Sequence, residues 1–250
     1  MDNKKMLCQI AGIQYEIEYK YSYLEKKFSE YIIDEDKKSD NVYQVSYTDE
    51  VFNRWTKEDL PSKDPGYIEF CCIMEKIATD LPNHGMLLMH GATIEYEGKA
   101  YIFTAPSGTG KSTHISLWKR FLGDKVSVIN GDKPEVSFEE GKVYVHGAPW
   151  CGKEGWQINT SAPLAGVCVV ERAESNSIES IHPGENIELF MSQLYLADEP
   201  DYLIKVVDLF KKMAEAVPFY KLKCDISEDA AKCSFEQLTG EDWENSKNED

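Results

Sequence analysis

From residue 13 to residue 19 apolar and polar side chains alternate strictly: Ile13, Tyr15, Ile17 and Tyr19 are separated by Gln14, Glu16 and Glu18. A period of two puts the apolar set on one face, so the segment predicts a half-buried strand entered through a turn at Gly12. Leu24, Lys27, Phe28, Tyr31 and Ile32 then predict a short amphipathic helix, the polar run 34–41 a loop, and residues 42–47 another strand. After a proline-bounded loop at 61–65, Tyr67, Phe70, Cys71, Met74, Ile77, Ala78 and Leu81 keep one helical face apolar. Residues 1–82 thus read as a small α/β module without a chemical motif, ending near Pro82 and Asn83.

The pattern changes beyond this point. Short apolar runs at 86–89, 92–96 and 99–104 predict three strands in quick succession, with a Glu97-Gly98 turn between the last two. Further runs at 126–129, 143–145 and 167–170 predict more strands, while 187–196 and 202–216 have helical spacing. A strand at 218–222 and a helix at 230–238 follow, and residues 241–250 form an acidic tail expected to be flexible. The expected organisation is an α/β protein: module 1–82, a larger domain 83–240, and the tail.

Composition narrows the partners. The 250 residues are 42% hydrophobic and 12% aromatic, enough for a real core, and carry a net charge of −17. With three arginines in the whole chain, Arg54, Arg120 and Arg172, it lacks the clustered cations that nucleic acid demands. No apolar run approaches membrane-spanning length, and the start, Met1-Asp2-Asn3-Lys4-Lys5, lacks the apolar core of a secretory signal, so no membrane partner and a cytoplasmic location are expected. Seven cysteines without zinc-site or disulfide-scaffold spacing read as reduced thiols, mostly buried.

The chemistry concentrates in Ala105-Pro106-Ser107-Gly108-Thr109-Gly110-Lys111-Ser112-Thr113, a phosphate-binding (Walker A) loop with alanine at its first glycine position, set between the strand at 99–104 and helical spacing at 115–122. Gly108 and Gly110 permit positive φ, so that successive N–H groups from Ser107 to Thr113 converge on phosphate oxygens at a helix N-terminus. Lys111 adds a mobile cation, and Ser112 on the first helical turn offers a hydroxyl to Mg²⁺. The loop predicts a nucleotide triphosphate and Mg²⁺ as cofactors.

An acid should stand near that metal. Asp132, just after the run 126–129, is the best candidate, against an ordinary turn aspartate in Asn130-Gly131-Asp132. His90, at the end of the run 86–89, is a candidate proton acceptor with Asp132 as its partner, against a histidine satisfied in the interior. Lys153 and Glu154 lie between glycines and two tryptophans in 148–156, a loop able to cover a substrate, with Lys153 reaching a phosphate and Glu154 a metal or a polar group. His114, His146 and His182 read as structural or exposed, and Arg172 as an outside candidate for a phosphate clamp.

Taken together, His90-Gly91, the Glu97-Gly98 turn, Ser107-Gly108-Thr109-Gly110-Lys111-Ser112 and Gly131-Asp132 resemble the C-terminal domain of HPr kinase/phosphorylase, which shares a nucleotide-binding core with ATP-dependent phosphoenolpyruvate carboxykinases. The resemblance spans about residues 85–238. It implies an ATP-dependent phosphotransferase in which His90 and Asp132 form a proton-accepting pair, Lys111 binds the phosphates of ATP, and Ser112 with Asp132 holds Mg²⁺. The family usually shows two adjacent acids; here Lys133 follows Asp132, so one carboxylate serves or Glu135 helps. In place of a glutamate-arginine-glycine signature loop stands Gly152-Lys153-Glu154-Gly155, and residues 1–82 do not resemble the HPr kinase N-terminal domain. Relatives that resemble HPr kinase include kinases of peptide precursors and of free serine, which implies a hydroxyl acceptor on a peptide, protein or small molecule. HPr kinases are hexamers, so a homo-oligomer is also implied. The competing readings are a non-catalytic, nucleotide-responsive binding or regulatory module and, more remotely, a carboxykinase-type enzyme.

Overall fold

Ala11 and Gly12 both take positive φ, 48° and 82°, the backbone of a tight turn that matches strand twist. They fold β1 (Lys4–Ile10) against β2 (Ile13–Tyr19) in antiparallel register from Lys4↔Tyr19 to Ile10↔Ile13. The computed structural model describes residues 3–247, so the sequence expectations for Met1, Asp2 and residues 248–250 lie outside the described residues. α1 (Ser22–Lys27) stops earlier than its spacing predicts. The chain from Tyr31 to Ile33 turns back instead to pair with β1, Gln9 N donating to Tyr31 O and Ile33 N to Leu7 O. β3 (Val42–Val45) adds parallel to β2.

α2 (Asp49–Trp55), which has no clear apolar period, is capped by the Thr48 hydroxyl. α3 (Pro65–Asp80) begins where Asp64 Oδ1 accepts from Gly66 N at 2.9 Å and Tyr67 N at 3.3 Å, with Pro65 in the first turn. Glu69, wholly buried on α3, accepts from Lys20 N, Tyr21 N and the Tyr47 hydroxyl at 2.7–2.9 Å, which ties the hairpin to the helix.

The larger sheet has two branches that meet at one long strand. Its other strands are β4 (Met86–Leu88), β5 (Ala92–Tyr96), β6 (Lys99–Thr104), β7 (Val126–Asn130), β8 (Glu135–Glu139) and β9 (Lys142–His146). The long strand is β10 (Ser161–Arg172), followed by β11 (Ser177–Ser180) and β12 (Phe219–Cys224). The first residues of β10 pair antiparallel with β9; from Leu164 it runs parallel to β6, with a register shift at Leu164/Gly166, and from Val167 parallel also to β12. One branch is therefore antiparallel, β4-β8-β9, and the other runs β11-β12-β10-β6-β5-β7.

Helices cover this sheet according to the alternation of its side chains. α4 (Lys111–Leu122) packs on the face bearing Tyr101, Phe103, Cys168 and Val170. α5 (Ile187–Met191) and α6 (Pro200–Ala216) pack on the face bearing Ala100, Ile102, Val167 and Val169. α7 (Glu228–Thr239) and α8 (Trp243–Ser246) join α4 on its face. The helix expected over 187–196 ends at Met191, because Gln193 and Tyr195 give their backbone to Leu88 and His90 instead. The flexible tail is corrected for its described part: Trp243 is fully buried, and its indole N–H donates to Glu228 at 3.0 Å. The architecture is mixed α/β. Among the described residues no helix is long and apolar enough to cross a membrane, and all seven cysteines are unpaired, six of them buried.

One apolar cluster crosses residue 82, joining Tyr15, Ile17, Leu24, Phe28 and Tyr31 to Met86, Leu88, Ala148 and Trp150. Glu135 faces this cluster, opposite Leu88 and His146 in the ladder, fully buried with neither carboxyl oxygen partnered. It lies near the Tyr15 and Tyr31 hydroxyls of that cluster. It is thus turned toward the N-terminal layer, and the expectation that it supplements Asp132 is corrected by β8, a strand the sequence pattern does not reveal behind Pro134.

Burial pushes the Glu135 carboxyl from 4.5 up to about 8. A folded-state value above the unfolded one means that the fold favours the protonated form. Stability from this source is intact below about pH 4.5 and declines as pH rises toward about 8. In Glu135→Gln this decline should vanish, so melting temperatures of wild type and variant, followed from pH 4.5 to 8, diverge in favour of the variant; parallel curves would contradict it.

Candidate functional site

The glycine loop leaves β6 at Ala105 and enters α4 at Lys111, with Gly108 at φ 77° and Gly110 at φ 123°. Both are left-handed conformations that a side chain resists, which is why glycine stands there. The loop's outer residues Ser107 and Gly108 are exposed, Thr109, Gly110 and Ser112 half-buried, and Thr113 exposed. Lys111 is 7% exposed and folds back over the loop, its Nζ donating to Ala105 O at 2.8 Å and Pro106 O at 3.4 Å. Burial lowers its pKa, opposed by the charge of Asp132 and reinforced by that of Lys133. Arg172, at the end of β10, donates from Nε to Thr109 O at 2.8 Å and from Nη2 to Gly108 O at 2.5 Å. It holds those carbonyls from behind, a role the sequence does not disclose.

Two segments bring a second group of residues to the loop. Residues 89–92 pass from β4 to β5, and residues 130–135 pass from β7 to β8, so both cross between the branches of the sheet. They are bonded at the crossing: Gly91 N donates to Asp132 O at 2.8 Å and Met89 N to Pro134 O at 3.2 Å. Gly91 is obligatory here, since a Cβ would stand 2.7 Å from Ile102 Cγ2 and 3.3 Å from Phe103 O. The Thr104 hydroxyl donates to His90 O at 2.7 Å, which fixes the crossing to the start of the glycine loop.

At this crossing His90 Nε2 lies 3.5 Å from Asp132 Oδ1. His90 Nδ1 lies 2.9 Å from Gln193 Oε1, and His90 N donates to Gln193 O at 2.6 Å. Gln193 is 103 residues away in sequence and carries no motif, so nothing in the sequence pointed to it. Asp132 is placed by Asn130, wholly buried, whose Oδ1 accepts from Asp132 N at 2.9 Å and Lys133 N at 2.8 Å and whose Nδ2 donates to Ala148 O at 2.9 Å. The Asn130-Gly131-Asp132 turn is therefore both an Asx turn and the mount of the carboxylate.

Burial works to raise the Asp132 pKa, but hydrogen bonding from His90 and the charge and hydrogen bond of Lys133 outweigh it, and the result is about 2. Asp132 is a carboxylate at any neutral pH. Lys133 Nζ stands 2.6 Å from its Oδ2, so the lysine that follows Asp132 is its ion-pair partner.

The loop 151–156 is bound to the same turn, Gly131 N donating to Trp156 O at 2.9 Å and Ile158 N to Ile129 O at 3.1 Å. Lys153 and Glu154 are exposed on it. Glu154 Oε2 and Asp132 Cγ both lie within 3.6 Å of the point where a Cβ on Gly152 would stand. Glu154 and Asp132 thus both border Gly152, while Lys153 and Glu154 are alike exposed on the loop. Among the described residues no group of three or more His, Cys, Asp or Glu forms a metal cage. His114 and His146 are structural: each ring bonds a serine, Ser234 or Ser137, at 2.8 Å, and burial lowers their pKa values to about 3 and about 4.

Asn130→Ala should strand three backbone partners at the crossing and cost about 2–4 kcal/mol, read as a lower urea midpoint at unchanged slope. A loss under about 1 kcal/mol would mean that the turn does not depend on this side chain.

A protein-family model described as "ScmC: SynChlorMet cassette protein ScmC" matches residues 59–232, more than half of the chain and a stretch that includes His90, the glycine loop, Asp132 and the loop 151–156. No curated protein matches. Among solved structures, the HPr(Ser) kinase/phosphatase from Coxiella burnetii is similar at 8% identity and a TM-score of 0.30, over 51% of this chain and 92% of that one.

Proposed function

The chain belongs to the SynChlorMet cassette protein ScmC family, and we propose that it is an ATP-dependent phosphotransferase that moves the γ-phosphoryl group to a hydroxyl on a peptide, protein or small molecule. The observation that carries this reading is the His90–Asp132 pair, 3.5 Å apart, mounted on the crossing that Thr104 ties to the glycine loop, with the Asp132 charge acting on Lys111. Loop amides and Lys111 bind the phosphates. The acceptor oxygen attacks the γ-phosphorus as its bond to the β–γ bridging oxygen breaks, and the acceptor's proton passes to the His90–Asp132 pair. Glu154, which borders Gly152 as Asp132 does, is a contact for metal or acceptor, and Lys153 is the cation of the covering loop.

Magnesium fits this donor set. Mg²⁺ is commonly held by one or two protein oxygens together with phosphate oxygens and water, and here the ionised Asp132 and the Ser112 hydroxyl are the protein oxygens. When bound, the ion would neutralise phosphate charge. We assign residues 83–240 to an HPr kinase-like, phosphoenolpyruvate carboxykinase-like core, residues 1–82 to a small α/β module that shares an apolar cluster with it, and the protein to the cytoplasm.

One observation favours a second reading. The 2.6 Å ion pair between Lys133 and Asp132 occupies the carboxylate that metal and proton transfer both need, as in a nucleotide-responsive binding module without catalysis. Single-turnover transfer from γ-labelled ATP to a panel of hydroxyl acceptors separates the two. As a kinase, the wild type should transfer label, His90→Ala and Asp132→Asn should each lose about 10²–10⁴-fold, and Lys111→Ala should also lose nucleotide affinity. Tight Mg·ATP binding with no transfer to any acceptor favours the module.

A further inference from the structure

Two cavities adjoin the glycine loop on opposite faces of the sheet. The larger, about 520 Å³, touches only the loop's outer shoulder from Pro106 to Thr109 and opens between β10, β12 and Leu189. The smaller, about 260 Å³, lies on the α4 face and is bounded by Gly110, Thr113, Ala173, Cys224, Asp225 and Ile226. It is the one that reaches the first turn of α4, at the ends of the parallel strands β10 and β12. Crevices outside the carboxyl ends of parallel strands are where such sheets bind ligands.

Direction along the ligand follows from the site already described. The His90–Asp132 pair is carried by the crossings next to β5 and β7, on one side of β6, so the terminal phosphate points there under the proposed function. The opposite end of the ligand then leaves the loop on the other side of β6, toward β10 and β12, past Thr113. The smaller cavity is what it meets. Its volume is below the roughly 300–1,000 Å³ of sites that enclose a whole drug-sized ligand, which suits one ring system of a molecule whose phosphates lie on the loop.

The lining supports the same assignment. Val170 and Cys224 make an apolar wall. Ile226 is 76% exposed, the most exposed large hydrophobic among the described residues. It is held there by a rigid turn: Asp225 Oδ1 accepts from Ser227 N at 2.9 Å, Ser227 Oγ at 2.6 Å and Asn176 Nδ2 at 3.1 Å, and Asp225 N donates to Asn176 Oδ1 at 2.9 Å. A solvated isoleucine on a fixed turn at the rim of an apolar-walled crevice has the chemistry to cover a flat heteroaromatic face. Arg172 lies between this crevice and the loop and lines both cavities.

We propose that the crevice between Thr113, Ala173 and Ile226 is the nucleobase subsite, taking the purine or pyrimidine ring of the nucleotide with Ile226 against its face. The assignment rests on the glycine loop binding the phosphates, and its test separates the two ideas by using a ligand without a base. Calorimetric titrations with Mg·ATP and with magnesium tripolyphosphate are compared for wild type, Ile226→Asp, Ala173→Phe and Lys111→Ala. The base subsite requires that Ile226→Asp and Ala173→Phe each weaken ATP by roughly 10-fold or more while tripolyphosphate affinity stays as in wild type, and that Lys111→Ala weakens both ligands. Unchanged ATP affinity in both crevice variants, or an equal loss of ATP and tripolyphosphate, overturns the subsite and leaves the loop reading standing. Failure of wild type to bind either ligand overturns both.

Discussion

Everything at the candidate site depends on a crossing of two chain segments between the branches of the larger sheet. Strands β4 and β8 belong to one branch and β5 and β7 to the other, so the chain must traverse the gap twice, at 89–92 and at 130–135. The backbone groups freed at that gap need partners, and they find them in each other: Gly91 N with Asp132 O, Met89 N with Pro134 O. That pairing sets His90 beside Asp132 before any side chain contributes. The approach is possible only because residue 91 has no Cβ to strike Ile102. Glycine at this position is thus a packing requirement, and the site is a consequence of how the sheet divides.

Three acids illustrate how the same side-chain chemistry is put to different uses by its surroundings. Glu69 is saturated by two amides and a hydroxyl and serves as a rivet between the N-terminal hairpin and α3. Glu135 has no partner for either oxygen and is driven toward its neutral form. Asp132 is only partly buried, with a histidine and a lysine against it, and remains charged. An acid held ionised at the edge of a phosphate loop is available to a cation or a proton. An acid buried unpaired three residues later is not, although in sequence either could be the second carboxylate.

The glycine loop is supported from both sides. Thr104 and Lys111 tie it inward to the crossing and to its own carbonyls, while Arg172 holds Gly108 O and Thr109 O from the β10 side. Carbonyls held outward leave the amides of the same peptides facing the other way, which is the polarity an anion nest requires. One scarce arginine is therefore spent on the backbone of the loop.

What could be read from the chain alone was what local geometry decides. The alternation at 13–19, the apolar runs at 92–96, 99–104 and 126–129, and the glycine spacing at 108–110 each specify strand or turn within a few residues, and they coincide with β2, β5, β6, β7 and the loop. β1, α2, β8 and β11 were invisible, because a strand behind Pro134 or a short polar helix has no period of its own to display. Tertiary structure decided the remainder. It shortened the helix expected over 187–196 by drawing Gln193 and Tyr195 to the 88–90 segment, buried Trp243 in what read as a loose tail, and turned Glu135 away from Asp132. Each of these rests on partners in other elements, whose contact energy overrides local propensity once the chain is closed upon itself. Spacing along a sequence records which residues can share an element; it holds no record of which elements meet.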